Sequence, residues 1–286
     1  MRLAYDVCLP PGDKEENLPP VIFLHGMMDS RKTWKYIAPA VAKSTGRKVY
    51  AIDARNHGES PWRDEITFDI LAEDQHSFLT QHNIRKAVYI GHSMGGRTAL
   101  TLALTHPEKI DKLIVEDMGL MDFRPSSRGP ILYLAQLLQE ALEQIPRDVD
   151  EAKAKQAIVE YMKPLFAGNT KASSKDFKFD LDMIPLKKEN GHYVWKTNLK
   201  VIEDWLKTDK IRQTLQGVYM GDALFIYGTE SFFKVNEDPR IPTFFPRATK
   251  LGFEGASHLV HTENPKRFVK EVSDFINNCS YVKSKI

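Results

Sequence analysis

The chain has 286 residues and a formal net charge of +2, with 42% hydrophobic and 27% charged residues. These values are ordinary for a globular chain of one or two domains, and the small net charge gives no electrostatic footprint for nucleic acid. No apolar run approaches the roughly 18 residues that a membrane span needs. The first twenty residues have neither a secretory signal nor a transit peptide, so we expect no transmembrane or targeting segment in this sequence.

The two cysteines, Cys8 and Cys279, stand at opposite ends of the chain. They form neither a metal-ligand cluster nor a disulfide framework, which is typical of a reducing compartment. A single bridge between them stays open as an alternative, because the ends of a domain often lie close together.

Short apolar runs alternate with amphipathic stretches along the first 117 residues. Buried strands are predicted at residues 21–24, 48–53, 87–91 and 112–117, after a short N-terminal strand. Helices are predicted at residues 33–43, 67–82 and 94–105. This alternation indicates an α/β fold with a mostly parallel central sheet and helices on both faces.

The pattern changes after the strand that ends at Asp117. The runs "ILYLAQLLQEALEQI" and "DEAKAKQAIVEYMKPLF" have helical periodicity, and "GHYVWKTNLKVIEDWL" predicts a short strand or extended piece leading into a helix. Buried strands return at residues 223–228 and 250–253, and a last helix is predicted at 265–277. We therefore predict a core of residues 1–118 and 221–286, interrupted by a helical cap at 119–220.

The segment "YIGHSMGGRTA" places Ser93 between Gly91 and Gly95, directly after a predicted buried strand and before a predicted helix. In that context Gly-x-Ser-x-Gly is typical of a nucleophile elbow, a strained turn that holds the serine Oγ above the sheet. Only small residues two positions before and after the serine tolerate the close backbone approach. An ordinary glycine-rich turn is the alternative.

The segment "LHGMMDS" follows the strand at residues 21–24, where a backbone N–H group can complete an oxyanion hole. We predict that the N–H groups of Met27 and Met94 hold the developing oxyanion of an acyl-transfer reaction. A tight turn after the strand is the alternative explanation for the His-Gly pair.

Late in the chain, "FEGASHLVHTENPKRF" contains His258 and His261. His258 follows a predicted strand and precedes the last helix, so it can reach across the strand ends as a general base. His261 comes three residues later and is predicted to flank the helix. We therefore predict His258 as the base.

Two carboxylates compete for the role of the acid that orients this base. Asp117 ends the strand that follows the elbow helix, whereas Glu230 follows the next buried strand and is adjacent to Ser231, which has no carboxylate. We favour Asp117, and its neighbour Glu116 points to the opposite side if the strand continues. Glu230 remains the alternative acid, and a helix or turn cap is the alternative role for Asp117.

Four segments resemble the α/β-hydrolase superfamily in their order, and within it the esterases grouped with bacterial YbfF and animal α/β-hydrolase-domain-containing protein 11. They are "GHSMGGRTA", "DARNHGES", "YVWKTNL" and "GASHLVHTENP". The resemblance covers nearly the whole chain and implies an α/β-hydrolase fold with a helical cap inserted after the strand that follows the elbow helix. It also carries the acid onto Asp117, because "EDMGL" stands where the family has Val-Asp-Ile-Ser-Pro. Glu116 and residues 118–120 depart from that pattern.

These residues predict a serine hydrolase that cleaves carboxylic esters, thioesters or lipid esters with a hydrophobic acyl or alcohol part. Ser93 attacks the carbonyl, His258 takes the serine proton and Asp117 orients the imidazole. The mechanism calls for no cofactor and no metal, and the expected partner is a small ester or lipid-like substrate. The composition suits the cytoplasm, whereas the resemblance to the animal proteins implies the mitochondrial matrix.

A protein of another class is the alternative function. The same scaffold can serve as a ligand-binding or complex-stabilising protein with little turnover, while keeping the serine and the histidine.

Overall fold

A computed structural model of the chain describes residues 1–12, 18–120, 123, 125–163 and 180–277. Its strands are β1 (Tyr5–Cys8), β2 (Val21–Leu24), β3 (Val49–Ile52), β4 (Ala87–His92), β5 (Ile110–Glu116), β6 (Leu186–Glu189), β7 (His192–Trp195), β8 (Ala223–Gly228) and β9 (Ala248–Phe253). Seven of them form one sheet in the order β1-β3-β2-β4-β5-β8-β9. Strand β1 is antiparallel to β3 and all other neighbours are parallel, which confirms the predicted fold class.

The helices are α1 (Ile37–Thr45), α2 (Phe68–Gln81), α3 (Met94–Thr105), α4 (Pro125–Glu143), α5 (Glu151–Met162), α6 (Leu199–Lys207), α7 (Ile241–Phe244), α8 (Val260–Glu263) and α9 (Pro265–Asn277). In β2, Ile22 and Leu24 pack in one apolar cluster with residues of α2 and α3. Val21 and Phe23 pack in a second cluster with α1 and α9. Because alternate strand residues point to opposite faces, a continuous apolar run supplies both cores.

The first predicted helix begins later than expected. Residues Arg31–Trp34 form a 3₁₀ turn, and the α-helix starts only at Ile37. Proline has no N–H group and its ring clashes with the preceding turn, so the first turn of a helix accommodates it best. Starting α1 at Ile37 places Pro39 in that first turn, whereas a helix starting at Thr33 would leave Pro39 in its interior.

Between β5 and β8, which are neighbours in the sheet, the chain forms α4, α5, the β6–β7 pair and α6. Strand β7 lies in the segment for which a short strand or extended piece was predicted, whereas β6 and its pairing with β7 in a hairpin were not predicted. Asn190 and Gly191 connect its strands with φ angles of 49° and 84°. A two-residue loop with both φ angles positive is the type I′ turn that Asn-Gly favours, so this dipeptide was the missed signal.

The residues inserted between β5 and β8 have an apolar cluster of their own, which includes Ala135, Ile158 and Trp195. Met28, from the loop after β2, belongs to that same cluster. The inserted elements therefore pack directly on the loop that was predicted to form half of the oxyanion hole. No helix within the described part of the chain is both long and apolar enough to cross a membrane.

Candidate active site

Ser93 occupies a tight turn between β4 and α3. Its φ of 51° and ψ of −113° lie outside the regions that side chains favour, so the turn stores backbone strain. A Cβ added to Gly91 would lie 2.3 Å from the carbonyl oxygen of Gly95, and one added to Gly95 would lie 2.4 Å from that of Leu24. Backbone therefore occupies the space where any larger residue would place its side chain.

The loop after β2 runs beside this serine. A Cβ added to Gly26 would lie 3.6 Å from Cβ of Ser93, so Gly26 and Met27 are next to the turn. Met94 is the first residue of α3, where N–H groups have no acceptor within the helix and the positive end of the helix dipole lies. Met94 is thus adjacent to Ser93 in the chain, and Met27 follows a glycine that lies close to Ser93 in space.

Two buried histidines orient the loop after β2, and the sequence interpretation missed both roles. His25 Nε2 accepts from the N–H group of Ala54 at 3.0 Å, and His57 Nε2 accepts from that of Met28 at 3.2 Å. Burial lowers the pKa of His25 to about 4 and that of His57 to about 3. Both rings are therefore uncharged and can accept hydrogen bonds near pH 7. The N–H group of Met28 donates its hydrogen bond to His57.

Asp117 follows β5 and is completely buried. Its Oδ1 accepts from the N–H group of Gly228 at 3.1 Å, and its Oδ2 accepts from the hydroxyl of Ser231. The same Oδ2 lies 2.7 Å from Nδ1 of His258. The structure thus brings the favoured acid and the predicted base into contact.

The alternative acid occupies a different environment. Glu230 is exposed, whereas its neighbour Ser231 is buried and donates to Asp117. The ring of Phe233 lies over His258, with 4.5 Å between ring centroids. The segment after β8 thus contributes a hydroxyl and an aromatic ring around the Asp117–His258 pair.

His261 is buried and pairs with Glu116 rather than with Asp117. Its Nδ1 lies 2.8 Å from Oε1 of Glu116, and its Nε2 shares a hydrogen bond of 2.9 Å with the hydroxyl of Thr33. Burial opposes the charged imidazolium, but the Glu116 carboxylate outweighs it and raises the pKa of His261. The sequence analysis placed Glu116 on the opposite side of the strand from Asp117 without recognising this pairing.

The segment "DARNHGES" organises the loops around the site. The buried Asp53 carboxylate accepts from the N–H groups of Arg31 at 2.6 Å and of Glu59 at 2.8 Å. The carbonyl of Asn56 accepts from the N–H group of Asn198, in "YVWKTNL", at 2.9 Å. The segments "DARNHGES" and "YVWKTNL" therefore fix the geometry of the loops and attach the inserted elements to the core.

One group of side chains among the described residues has metal-ligating composition. Ligand atoms of Glu73 and His76, in the middle of α2, and of His106, directly after α3, lie within 4.8 Å of one another. His106 follows the last residue of α3, about 20 Å along the helix from Ser93 at 1.5 Å per residue. This group is therefore separate from the serine. Of the two cysteines, Cys8 is half-buried and Cys279 lies outside the described residues.

The chain matches the α/β-hydrolase fold family over residues 19–265, and it belongs to that family. It is 32% identical over 278 residues to the sn-1-specific diacylglycerol lipase ABHD11 of Danio rerio, covering 96% of this chain and 83% of the relative. The protein of that name from Xenopus tropicalis is 33% identical over 262 residues, covering 91% of this chain and 78% of the relative.

A comparison with a solved structure gives a similar result. The chain resembles a marine microorganism esterase with a TM-score of 0.77 and 28% sequence identity, covering 96% of this chain and 98% of the other. Together these similarities confirm the predicted superfamily, its subgroup and the class of carboxylesterase- or lipase-like hydrolase.

Proposed function

We propose that this protein is a serine hydrolase that cleaves carboxylic esters with a hydrophobic acyl or alcohol part through an acyl-enzyme intermediate. The observation that carries the proposal is the 2.7 Å contact between Asp117 and His258 at the strand ends where the strained turn holds Ser93. A buried carboxylate that holds one imidazole nitrogen leaves the other free to act as a base.

In this mechanism Ser93 Oγ attacks the ester carbonyl while Nε2 of His258 takes its proton. Asp117 holds Nδ1–H and stabilises the imidazolium, and the amides of Met27 and Met94 hold the oxyanion. Collapse of the tetrahedral intermediate releases the alcohol, which receives the proton from His258. Water, activated by the same histidine, then releases the carboxylic acid.

Lipid esters such as diacylglycerols are the substrate class that we propose to test first, because two similar relatives are named as diacylglycerol lipases. The apolar cluster of the inserted elements supports that choice, since it extends to Met28 beside the proposed oxyanion loop. A hydrophobic chain entering between the insertion and the core would therefore meet apolar side chains.

The test combines covalent labelling with turnover. We expect a fluorophosphonate to label the wild-type chain at Ser93, and the Ser93→Ala variant to lose labelling and lose hydrolysis of p-nitrophenyl esters of increasing acyl length and of a diacylglycerol. Removing the nucleophile of a related triad costs on the order of 10⁶ in kcat. A wild-type protein that neither labels nor hydrolyses any of these esters would contradict the proposal and favour the ligand-binding alternative.

A further inference from the structure

Beside Asp117 and His258 lies a second carboxylate–imidazole pair that the proposed mechanism does not use. Oε1 of Glu116 lies 2.8 Å from both the backbone nitrogen and Nδ1 of His261, and Oε2 lies 3.0 Å from that Nδ1. Glu116 is fully buried and His261 is 1% exposed. Removing two charged groups from water is costly, so a buried pair of this kind is weak evidence of a contribution to stability.

The Asp117–His258 and Glu116–His261 pairs connect the same two segments of the chain. Glu116 and Asp117 are consecutive at the end of β5, and His258 and His261 are three residues apart in the loop between β9 and α9, which contains the short helix α8 at His261. Each carboxylate holds one histidine of that loop. The loop is therefore attached to the strand end at two points, and the second attachment includes a backbone N–H group as well as a ring.

A third histidine completes the attachment. Nε2 of His92 lies 3.0 Å from the carbonyl oxygen of His258. Its ring centroid is 4.5 Å from that of His258 and 5.2 Å from that of His261. Because His92 directly precedes Ser93, this contact ties the backbone of the base to the turn that holds the nucleophile.

We propose that Glu116 and His261 are positioning residues, which hold the loop so that Nδ1 of His258 meets Asp117 and its Nε2 faces Ser93. The inference rests on the proposed serine-hydrolase function. Directional hydrogen bonds restrain the loop in both distance and angle, and a displacement of about 1 Å at a reacting group can cost on the order of 100-fold in rate.

The test replaces both partners at once. In Glu116→Leu/His261→Leu two apolar side chains occupy the space of the ion pair, an exchange that is often neutral or stabilising. We expect the double variant to stay folded, with a thermal midpoint lowered at most by the loss of the acceptor of the His261 backbone N–H group, to keep KM within about twofold, and to lose about 10- to 100-fold in kcat. A folded double variant with wild-type kcat would overturn the proposal, because a purely structural pair would be replaced without kinetic loss.

Two further variants serve as matched controls. Glu116→Gln keeps an oxygen acceptor for the His261 N–H groups, and we expect it to retain more kcat than Glu116→Leu. Asp111, at the opposite end of the same strand, pairs with Arg47 and Lys86 at 3.2 and 2.7 Å, and Asp111→Asn should leave kcat unchanged. An equal kcat loss in Asp111→Asn, or no advantage of Gln over Leu, would count against a positioning role.

A spectroscopic measurement separates this proposal from the proposed function. The downfield Nδ1–H proton resonance of His258 is assigned by its loss in Asp117→Asn. We expect that resonance to shift or broaden in the double variant and to be unchanged in Asp111→Asn. An unaltered resonance in the double variant contradicts the positioning role whether or not the wild type hydrolyses esters, whereas failure of Ser93 labelling contradicts the proposed function alone.

Discussion

Asp117 is held by donors from two segments that are distant in sequence. Gly228 and Ser231, at the end of β8 and just after it, supply an N–H group and a hydroxyl, and His258 contacts Oδ2 at 2.7 Å. These contacts fix the orientation of the carboxylate. Glu230, one residue from Ser231, is exposed and has no comparable set of contacts among the described residues.

A pair of amide substitutions distinguishes the two acids. Asp117→Asn should preserve the fold but lose kcat by on the order of 10⁴, because the amide favours the wrong imidazole tautomer. Glu230→Gln should leave kcat unchanged. Steady-state ester hydrolysis, with circular dichroism to verify folding, measures both, and a collapse of activity in Glu230→Gln would contradict the assignment of Asp117.

At the same scale, two neutral histidines make stability depend on pH. Burial lowers the pKa of His25 to about 4 and of His57 to about 3, both below the value of about 6.5 expected in the unfolded chain. The unfolded state therefore binds more protons as the pH falls below about 6.5, and the free energy of unfolding decreases. Asp29 acts in the opposite direction between about pH 4 and 6, because burial raises its pKa to about 6.

We expect His57→Gln to flatten this dependence. Glutamine offers an acceptor to the Met28 N–H group but does not titrate, so the decrease in unfolding free energy between pH 6.5 and 4 should become smaller by about 1–3 kcal/mol. Urea unfolding at a series of pH values measures the slope. His192 is exposed at the start of β7, and His192→Gln is the control that should keep the wild-type slope. An unchanged slope in His57→Gln would show that folding does not lower the pKa of His57.

At the scale of elements, the turn between β4 and α3 depends on backbone packing. Gly95 lies against the carbonyl groups of Leu24 and His25, so α3 approaches the end of β2 without any side chain between them. The N–H group of Gly95 also donates to the backbone carbonyl oxygen of His25 at 3.1 Å. The strained conformation of Ser93 is therefore maintained by three elements together.

Substituting Gly95 by alanine should break this packing. The added Cβ would lie 2.4 Å from backbone oxygen, so we expect a loss of about 3 kcal/mol or more in unfolding free energy, or no folded protein. Gly129, within α4, has nothing within 4 Å of an added Cβ, and Gly129→Ala should instead gain about 0.4–1 kcal/mol. Thermal and urea unfolding compare the two, and a stable Gly95→Ala protein with wild-type activity would contradict this account of the turn.

At the scale of the whole molecule, the inserted elements are attached to the core around one asparagine. The backbone N–H group of Asn198 donates to the carbonyl of Asn56, and its side chain caps α6 by accepting from the N–H group of Val201. Two residues earlier, the backbone carbonyl of Lys196 accepts from the indole N–H group of Trp62, and the Lys196 ammonium pairs with Glu59. The position of the insertion over the oxyanion loop therefore depends on contacts at its C-terminal side.

Asn198→Ala tests this attachment, and a variant that removes the N-cap of another helix in the insertion is its control. Loss of an N-cap costs about 1 kcal/mol, and Asp150→Ala removes such a cap from α5, within the insertion. Asn198→Ala also removes the side-chain contact between Nδ2 of Asn198 and Oδ1 of Asn56, 3.5 Å apart, so only this variant should also change KM and the preferred acyl length. Ester series for both variants measure the difference, and identical acyl-length profiles would contradict a role for this contact in substrate access.

Several features could be predicted from the sequence because they depend on short-range chemistry. Apolar runs of four to six residues predicted the parallel strands, and Gly91, Ser93 and Gly95 predicted a strained turn before any contact was known. Boundaries were less predictable where local signals compete, as at Pro39, which delays α1, and at Asn190-Gly191, which forms an unexpected hairpin. The catalytic roles of Ser93, Asp117 and His258 stay predictions.

The order of the core strands and the residue types available for acyl transfer could be predicted from the sequence, because periodicity and turn chemistry encode these properties over a few residues at a time. The α/β-hydrolase family followed from the resemblance of four short segments. Asp117 was predicted to orient His258, with Glu230 as the alternative, and the structure places Asp117 against His258 across 141 residues. The pairing of Glu116 with His261, across 145 residues, came only from the tertiary structure. Such pairings depend on how β5 and β8 align beside the loop before α9, and that alignment comes from sheet order and core packing rather than from local sequence.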